Sequence, residues 1–260
     1  KNFSKKKKKQ NKKKKITIIT VVKNAQDKLE DCIKSVLNQN YTNLEYIIID
    51  GNSSDGTQQI IDKYKNHINK IIIEDDKGIW NAMNKGIKIA DGEIIGFLNS
   101  DDYYFENTLE IVDSYFSKNN IDFLFGAVEK YKLIYGYSPW KIGWSFGFYT
   151  SHSVGFFINR KKHLEVGLYN EKYLSADLDF FYKMIVKYKM KGIASEKKEV
   201  FGKFAKGGFS SKINYIDHLM DLNKIRLDNK QGFLLVYFIF FFKIIKKPIK
   251  FIKGMFDKYN

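Results

Sequence analysis

Residues 16–22 read ITIITVV, and residues 44–49, 71–74 and 93–98 form three further apolar runs. Such runs, rich in β-branched residues and without polar alternation, are typical of strands buried on both faces of a sheet. Apolar side chains at helical spacing separate the first two runs: Leu29, Cys32, Ile33, Val36 and Leu37. Similar patterns predict helices ending near Tyr64 and covering 79–90 and 106–116. Alternating strands and helices indicate an α/β fold with a mostly parallel sheet.

The pattern becomes looser after residue 120. Strands are predicted over 121–128, 130–137 and 153–159, a helix over 177–188, and an extended segment over 200–205. The chain contains no internal repeat and no linker rich in Pro, Gly or Ser. We therefore expect one folded domain over residues 16–210, followed by a helical segment over 211–260.

The net charge of +16 is concentrated at the two ends of the chain. Residues 1–15 contain ten lysines and no acid, and residues 231–260 contain six lysines and Asp257, which leaves +1 for residues 16–230. A nearly neutral charge over residues 16–230 does not favour nucleic-acid binding, so no nucleic-acid partner is expected. Residues 1–15 are predicted as a disordered Lys-rich tail, either simply solvated or attracted to an anionic surface.

Acidic residues follow three successive predicted strands. Asp50 ends the second strand, Asp75 and Asp76 follow the third, and Asp101 and Asp102 follow the fourth. Ligands of open parallel sheets bind beyond the carboxyl ends of the strands, although turn formation alone would also explain each acid. The turns lack the phosphate-binding patterns GxGxxG and GxxxxGK(S/T). This combination favours phosphate bound through a divalent cation.

Four segments in order resemble the motifs of family 2 glycosyltransferases: TVVKNAQDKLEDCIKSVLNQNY (20–41), YIIIDGNSSDGT (46–57), DKGIWNAMNKGI (76–87) and GEIIGFLNSDD (92–102). Weaker similarity follows in SHSVGFFINR (151–160), SADLDFFYKM (175–184) and FAKGGFS (204–210). The resemblance implies an inverting enzyme with the GT-A fold, a Rossmann-like, mostly parallel sheet flanked by helices. Residues 16–102 would then form the nucleotide-sugar half of the catalytic domain, and residues 103–210 the acceptor half.

The same resemblance assigns a Mn²⁺ or Mg²⁺ cofactor to the pair Asp101 and Asp102. Asp102 is expected to bind the metal, and Asp101 the donor ribose or the metal shell. Asn99 stands where many relatives have aspartate, which leaves the ligand arrangement open. A divalent cation would stabilise the diphosphate that leaves during sugar transfer.

Nucleotide recognition is assigned to residues from three strand ends. By resemblance, Asp50 reads the nucleobase, and a carboxylate can accept the N3–H of uracil. Asp76 and Lys77 are expected to bind the nucleotide, and Thr20 to line the same pocket.

An inverting transfer needs a base on the face of the sugar opposite the leaving group. The resemblance assigns this role to Asp177, with Asp179 as the alternative. One of these two side chains is also a candidate for capping the helix that begins there.

Five further residues are candidates for the diphosphate or the acceptor. His152 would contact either group or be structural, and Lys206 and Ser210 belong to a loop that would close over the diphosphate or form an ordinary turn. Trp140 and Trp144 would stack on an acceptor sugar, contact lipid, or pack in the core.

The C-terminal segment is predicted to be amphipathic. The apolar run 232–242 is too short to cross a bilayer as a helix. Between residues 243 and 258, the lysines occupy one side of a helical wheel and the apolar residues the other, and Pro248 is expected to kink the helix. This pattern favours binding of residues 231–260 to an anionic membrane surface. Docking of the apolar face on the protein's own core remains the alternative.

The sequence therefore predicts a metal-dependent inverting glycosyltransferase that is cytoplasmic and peripheral on the inner face of the membrane. It would move one sugar, in a single displacement, from a UDP-linked donor to a lipid-linked or cell-envelope saccharide. The alternatives are a sugar nucleotidyltransferase and a non-enzymatic basic protein that binds nucleic acid or a charged surface.

Overall fold

The computed structural model describes residues 13–144, 153–205, 208 and 213–259, with side chains up to residue 256. Within these residues the strands are β1 (Ile16–Val22), β2 (Leu44–Asp50), β3 (Lys70–Ile73), β4 (Ile94–Phe97), β5 (Tyr103–Tyr104), β6 (Phe123–Phe125), β7 (Ala127–Glu129), β8 (Leu133–Ile134), β9 (Phe156–Asn159), β10 (Gly192–Ala194) and β11 (Val200–Lys203). The α-helices are α1 (Leu29–Leu37), α2 (Thr57–Tyr64), α3 (Ile79–Ile89), α4 (Thr108–Lys118), α5 (Arg160–Val166), α6 (Ala176–Tyr182), α7 (Tyr215–Asp228), α8 (Phe233–Lys246) and α9 (Pro248–Tyr259).

A seven-stranded sheet in the order β10-β6-β9-β4-β1-β2-β3 forms the centre of the fold. Its pairs are parallel except those of β9, which runs antiparallel between β4 and β6. A second sheet has the order β5-β11-β7-β8. The parallel pairs bring the carboxyl ends of β1, β2, β3 and β4 to one edge, where a binding site is expected.

The alternating side chains of β1 contribute to two cores, one on each face of the sheet. Ile19 and Val21 pack into one cluster with α3 and α6, while Ile16 and Ile18 pack into the other with α1 and α4. Cys32 lies in the second cluster and is 1% exposed, as its place in the apolar pattern of α1 predicts. Continuous apolar runs therefore form the strands because both faces of this sheet are covered.

The structure corrects several predicted boundaries after residue 120. The predicted strand 121–128 is divided at Gly126, whose N–H donates to Gly155 O at 2.8 Å, and its two parts join different sheets. Within 130–137, Leu133–Ile134 forms a strand and Tyr137 an isolated bridge, and 153–155 forms a 3-10 turn before β9. The predicted helix 177–188 is α6 followed by a π-helical turn at Lys183–Lys187.

The predicted Lys-rich tail falls mostly outside the described residues. At its end, Lys13 Nζ pairs with Glu110, and Lys14 N–H donates to Asp113 Oδ1 at 3.1 Å. Lys13 and Lys14 therefore lie against α4.

The last three helices pack on one another beside α6. Helix α8 ends at Lys246 and α9 starts at Pro248, so the predicted kink is a break between two helices. At Gly254, an added Cβ would lie 2.9 Å from Asn214 Oδ1, so α9 approaches the start of α7 closely. Within the described part of the chain, none of the helices is long and apolar enough to cross a membrane.

Candidate active site

A cavity of about 1170 Å³ opens at the carboxyl ends of β1 and β4. Asp76 and Asp101, from the loops after β3 and β4, form what we call its acidic wall. His218, Lys243 and Lys250, from α7, α8 and α9, form its basic wall. Ser175 and Asp177, at the start of α6, also line it. The cavity therefore joins the sheet edge to the C-terminal helices.

Asp50 is fully buried at the end of β2, next to the acidic wall. Its Oδ1 accepts hydrogen bonds from Ser53 N–H at 3.1 Å and Ser53 Oγ at 2.5 Å, and Ser53 Oγ accepts from Asn24 N–H at 2.8 Å. Asn24 lines the cavity, so a short chain of hydrogen bonds links Asp50 to its wall. No partner for Asp50 Oδ2 exists among the described residues, which leaves a buried acceptor available to a donor.

Asp76 lies close to the backbone of the residue that follows Asp50. A Cβ at Gly51 would lie 2.1 Å from Asp76 Oδ2, so a larger residue there would displace this carboxylate. Asp76 Oδ1 accepts the Gly78 N–H at 2.8 Å, which orients the carboxylate at the start of α3. The ends of β2 and β3 thus lie side by side, with Gly51, the residue after Asp50, against Asp76, while Asp50 itself is not among the residues that line the cavity.

Thr20 and Lys77, which were expected at the nucleotide pocket, are not among the residues that line the cavity. Thr20 is fully buried, and its hydroxyl lies 3.1 Å from Tyr46 Oη and 3.8 Å from Cys32 Sγ. The structure therefore places Thr20 in the core rather than in the cavity wall, because its side chain points to the opposite face of β1 from Val21. Lys77 is exposed and does not belong to the described wall.

Asp101 and Asp102 point in different directions, as expected for neighbouring residues in an extended segment. Asp101 lines the cavity, whereas Asp102 is 1% exposed and turned inward. Asp102 Oδ1 accepts the Ala205 N–H at 2.8 Å, and Oδ2 lies 3.4 Å from both Asn99 Nδ2 and Ser153 Oγ. Burial, followed by the charge of Asp101, raises the pKa of Asp102 to about 8. The geometry favours Asp101 as the carboxylate that faces a cation.

The acidic wall offers two oxygen donors from one loop. Besides the Asp101 carboxylate, Asn99 Oδ1 is buried and has no hydrogen-bond partner among the described side chains and backbone. Searching the described residues finds no group of three or more His, Cys, Asp or Glu placed to enclose a metal. Mg²⁺ is commonly bound by one or two carboxylates together with phosphate oxygens of the substrate. The donor set therefore fits a divalent cation held jointly by the protein and a diphosphate.

The structure separates the two candidate bases. Asp177 lies in the cavity wall at the start of α6, and its Oδ1 accepts the adjacent Leu178 N–H at 3.0 Å. Asp179 is 2% exposed, pairs with Lys183 Nζ at 2.6 Å and accepts from Asn229 Nδ2 at 2.7 Å. Asp179 therefore joins α6 to α7, and Asp177 is the carboxylate that faces the cavity.

Other predicted contacts fall elsewhere. His152, Lys206 and Ser210 lie outside the described residues. Trp140 is 74% exposed, Trp144 is 50% exposed, and the Trp144 ring lies 6.1 Å from that of Phe238 on α8. Both rings are too exposed to belong to the core, which leaves contact with an acceptor sugar or with lipid.

The basic wall was not predicted from the sequence. His218 belongs to no recognisable motif in the sequence, yet its Nδ1 lies 3.3 Å from Ser175 Oγ, two residues before Asp177. Lys243 and Lys250 were assigned to the outer face of an amphipathic helix, but they line the cavity. No local pattern marks these residues, because their position depends on how α7, α8 and α9 pack.

Comparisons with known proteins agree with this architecture. The model of the family described as glycosyl transferase family 2 matches residues 17–176, more than half of the chain. The Escherichia coli protein WfgD, a UDP-Glc:alpha-D-GlcNAc-diphosphoundecaprenol beta-1,3-glucosyltransferase, is 37% identical over 115 residues, which cover 44% of this chain and 46% of WfgD. The matched region thus spans about half of that relative.

Two solved structures share the fold at low sequence identity. Staphylococcus aureus TarS 1–349 in complex with UDP-GlcNAc has a TM-score of 0.67 and 18% identity, covering 82% of this chain and 66% of TarS. The mannosyltransferase PcManGT from Pyrobaculum calidifontis, in complex with GDP-Man and Mn²⁺, has a TM-score of 0.66 and 16% identity. The match covers 85% of this chain and 66% of PcManGT. The chain therefore belongs to glycosyl transferase family 2 and has the GT-A fold predicted from its motifs.

Proposed function

We propose that this chain is an inverting glycosyltransferase that moves one sugar from a UDP-linked donor to a lipid-linked or other cell-envelope saccharide. The observation that carries the proposal is one cavity whose wall contains Asp76, Asp101 and Asp177, each from a different loop or helix start. The positions of these acids match the requirements for nucleotide binding, cation binding and proton removal.

The nucleotide would lie along the ends of β1, β2 and β3. Asp50 Oδ2 is a buried acceptor without a partner, and the N3–H of uracil is a donor that would satisfy it. Cytosine lacks that donor, so the site would discriminate against it. The names of WfgD and the TarS complex, which include UDP-Glc and UDP-GlcNAc, support a UDP-linked donor.

Asp101 and Asn99 would hold the divalent cation together with the donor diphosphate. When bound, Mn²⁺ or Mg²⁺ neutralises the charge that develops on the leaving UDP. Asp102 stays behind this loop, where its hydrogen bonds to Ala205, Asn99 and Ser153 maintain the loop conformation.

Asp177 would act as the base. Its carboxylate accepts the proton of an acceptor hydroxyl while that oxygen attacks the anomeric carbon. The bond to the UDP oxygen breaks on the opposite face of the sugar, so the anomeric configuration inverts.

The exposed side of the C-terminal helices supports membrane association. Helix α8 is docked through Val236 and Ile239, which are 0% and 5% exposed, so part of its apolar side does cover the protein's own core. The C-terminal apolar surface remains exposed and consists of Phe238, Phe241, Phe242, Ile245, Ile249 and Ile252. Exposed apolar patches of this kind mark protein or membrane contacts, and aromatic and aliphatic side chains on an interfacial helix favour a membrane. Peripheral binding to the inner face would bring a lipid-linked acceptor close to the cavity.

The proposal is tested by measuring UDP release from UDP-sugars with Mn²⁺ or with EDTA. We expect release with Mn²⁺ only, and an at least roughly hundredfold loss in Asp101→Asn. Parallel assays with GDP- and CDP-sugars test the donor assignment. Metal-independent release, or unchanged activity in Asp101→Asn, would contradict the mechanism. Pyrophosphate release from a nucleoside triphosphate and a sugar phosphate would instead indicate a nucleotidyltransferase.

A further inference from the structure

Three basic side chains meet on the side of the cavity that the C-terminal helices build. His218 comes from α7, Lys243 from α8 and Lys250 from α9, and all three line the cavity. The docking of α8 explains why Lys243 turns inward. It lies four residues after Ile239 and seven after Val236, on the face that packs against the protein.

The positive charge in this wall is compensated only in part, because Asp221 acts on His218. Neither Lys243 nor Lys250 forms a salt bridge with any residue in the described part of the chain. Burial, followed by the charges of Arg226 and Lys247, lowers the pKa of Lys243 to about 8. Burial and the charge of Lys243 likewise lower the pKa of His218. A bound anion would relieve this repulsion and give Lys243 a partner.

The basic wall lies on the side of the cavity where the base is. His218 Nδ1 is 3.3 Å from Ser175 Oγ, and Ser175 precedes α6, which carries Asp177 in its first turn. The acidic wall, in contrast, comes from the loops after β3 and β4. An anion bound beside His218 and Lys243 would thus lie near the start of α6, which carries Asp177.

We propose that Lys243, Lys250 and His218 form a subsite for a phosphate or diphosphate group carried by the acceptor. The inference rests on the proposed function, which requires an acceptor beside Asp177. The same helices carry the C-terminal apolar surface on their other side, so a lipid diphosphate would place its headgroup at the basic wall while its chain stays with the membrane. A phosphate within a polyol phosphate polymer offers the same chemistry without a lipid.

Binding of soluble probes to the full chain tests the subsite. Farnesyl diphosphate and ribitol 5-phosphate represent the two sources of phosphate, and farnesol is the uncharged control. Titration calorimetry in EDTA prevents cation-mediated binding of these probes at the acidic wall. The test variants are Lys243→Gln and Lys250→Gln. Lys250 is exposed but lines the cavity, and the matched controls, Lys246→Gln and Lys253→Gln, remove the same charge from exposed positions on α8 and α9 that do not line it.

We expect farnesyl diphosphate to bind about tenfold more weakly to Lys243→Gln and about threefold more weakly to Lys250→Gln, since charge-assisted hydrogen bonds in a partly enclosed site are strong. The two controls should bind like the wild type. If ribitol 5-phosphate, and not farnesyl diphosphate, shows this dependence, the subsite is supported and its ligand is a polyol phosphate.

Equal binding by the wild type and the Lys243→Gln variant would overturn the inference, as would equal weakening by the exposed controls. Mn²⁺-dependent UDP release in the same variants distinguishes the two proposals. Unchanged release together with unchanged probe binding rejects the subsite and leaves the glycosyltransferase assignment intact. Absent release in the wild type rejects the proposed function itself.

Discussion

The acidic and basic walls of the cavity are built in different ways. Asp76 and Asp101 directly follow strands of one parallel sheet, so the pairing of β1, β2, β3 and β4 is enough to place them on one edge. His218, Lys243 and Lys250 are brought together only by the packing of three C-terminal helices. The first wall therefore depends on local sheet geometry, and the second on tertiary contacts over long sequence distances.

The largest expected effect concerns the proposed base, Asp177, which lies in the sequence between the residues of the acidic wall and those of the basic wall. Asp177→Asn should lower kcat for sugar transfer about a thousandfold, because an amide cannot accept the acceptor proton. Binding of UDP with Mn²⁺, measured by calorimetry, should not change. As the control, Asp179→Asn should lose about 1–3 kcal/mol of unfolding free energy through its contacts with Lys183 and Asn229, while kcat falls little. The reverse pattern would assign the base to Asp179.

The roles proposed for Asp101 and Asp102, with Asp101 at the cation and Asp102 supporting the loop, can be tested by substitution. We expect Asp102→Asn to keep Mn²⁺-dependent UDP release within about tenfold of the wild type, because the amide oxygen still accepts the Ala205 N–H. Asp101→Asn should lose about a hundredfold. Comparing the Mn²⁺ concentration needed for half-maximal activity separates metal binding from loop stability. A larger loss in Asp102→Asn would restore the assignment made from the sequence.

Membrane association tests the outer side of the C-terminal helices. The double variant Phe241→Ser, Ile245→Ser should bind vesicles of anionic phospholipid about thirtyfold more weakly, because two exposed apolar side chains no longer enter the interface. Cosedimentation measures the effect. Leu164→Ser on α5, where the side chain is 43% exposed, is the matched control and should bind normally. Unchanged binding by the double variant would show that this apolar surface is not the membrane-binding surface.

The smallest expected effect concerns how α7 positions Asp177. The buried carboxylate of Asp221 accepts the N–H groups of Leu174 and Ser175 at 3.1 and 2.8 Å. Asp221→Asn retains one acceptor and loses the charge, so kcat should fall about tenfold through misplacement of the base. The KM for the donor should stay constant, and the pH profile of kcat should keep its shape. A change in donor KM would show that α7 also acts on the acidic wall.

Sequence patterns predicted the first half of the chain well, because strands buried on both faces give continuous apolar runs. The predicted bounds of β1 agree with the structure, and Cys32 is a core residue as expected. The same patterns were less informative after residue 120, where short strands divide between two sheets. At Gly126 the backbone changes sheets inside one apolar run, and no periodicity in that run indicates the break.

In the candidate site, too, the sequence could not predict features that depend on distant contacts. The motifs identified Asp50, Asp76 and the Asp101–Asp102 pair, but they could not show which of the paired carboxylates turns inward. That choice depends on Ala205, about a hundred residues later, whose N–H binds Asp102. Thr20 was misplaced for a related reason, since the face of β1 that it occupies is set by packing against Tyr46 and Cys32.

The sequence by itself determined the family, the mostly parallel sheet and the set of acids at its edge, because these follow from local apolar patterns and motifs with fixed spacing. Only the tertiary structure decided that Asp101 and Asp177 face the cavity while Asp102 and Asp179 do not, and that Lys243 points inward. Those outcomes depend on contacts between residues far apart in the chain, where burial and hydrogen bonding select one orientation among several that the local sequence permits.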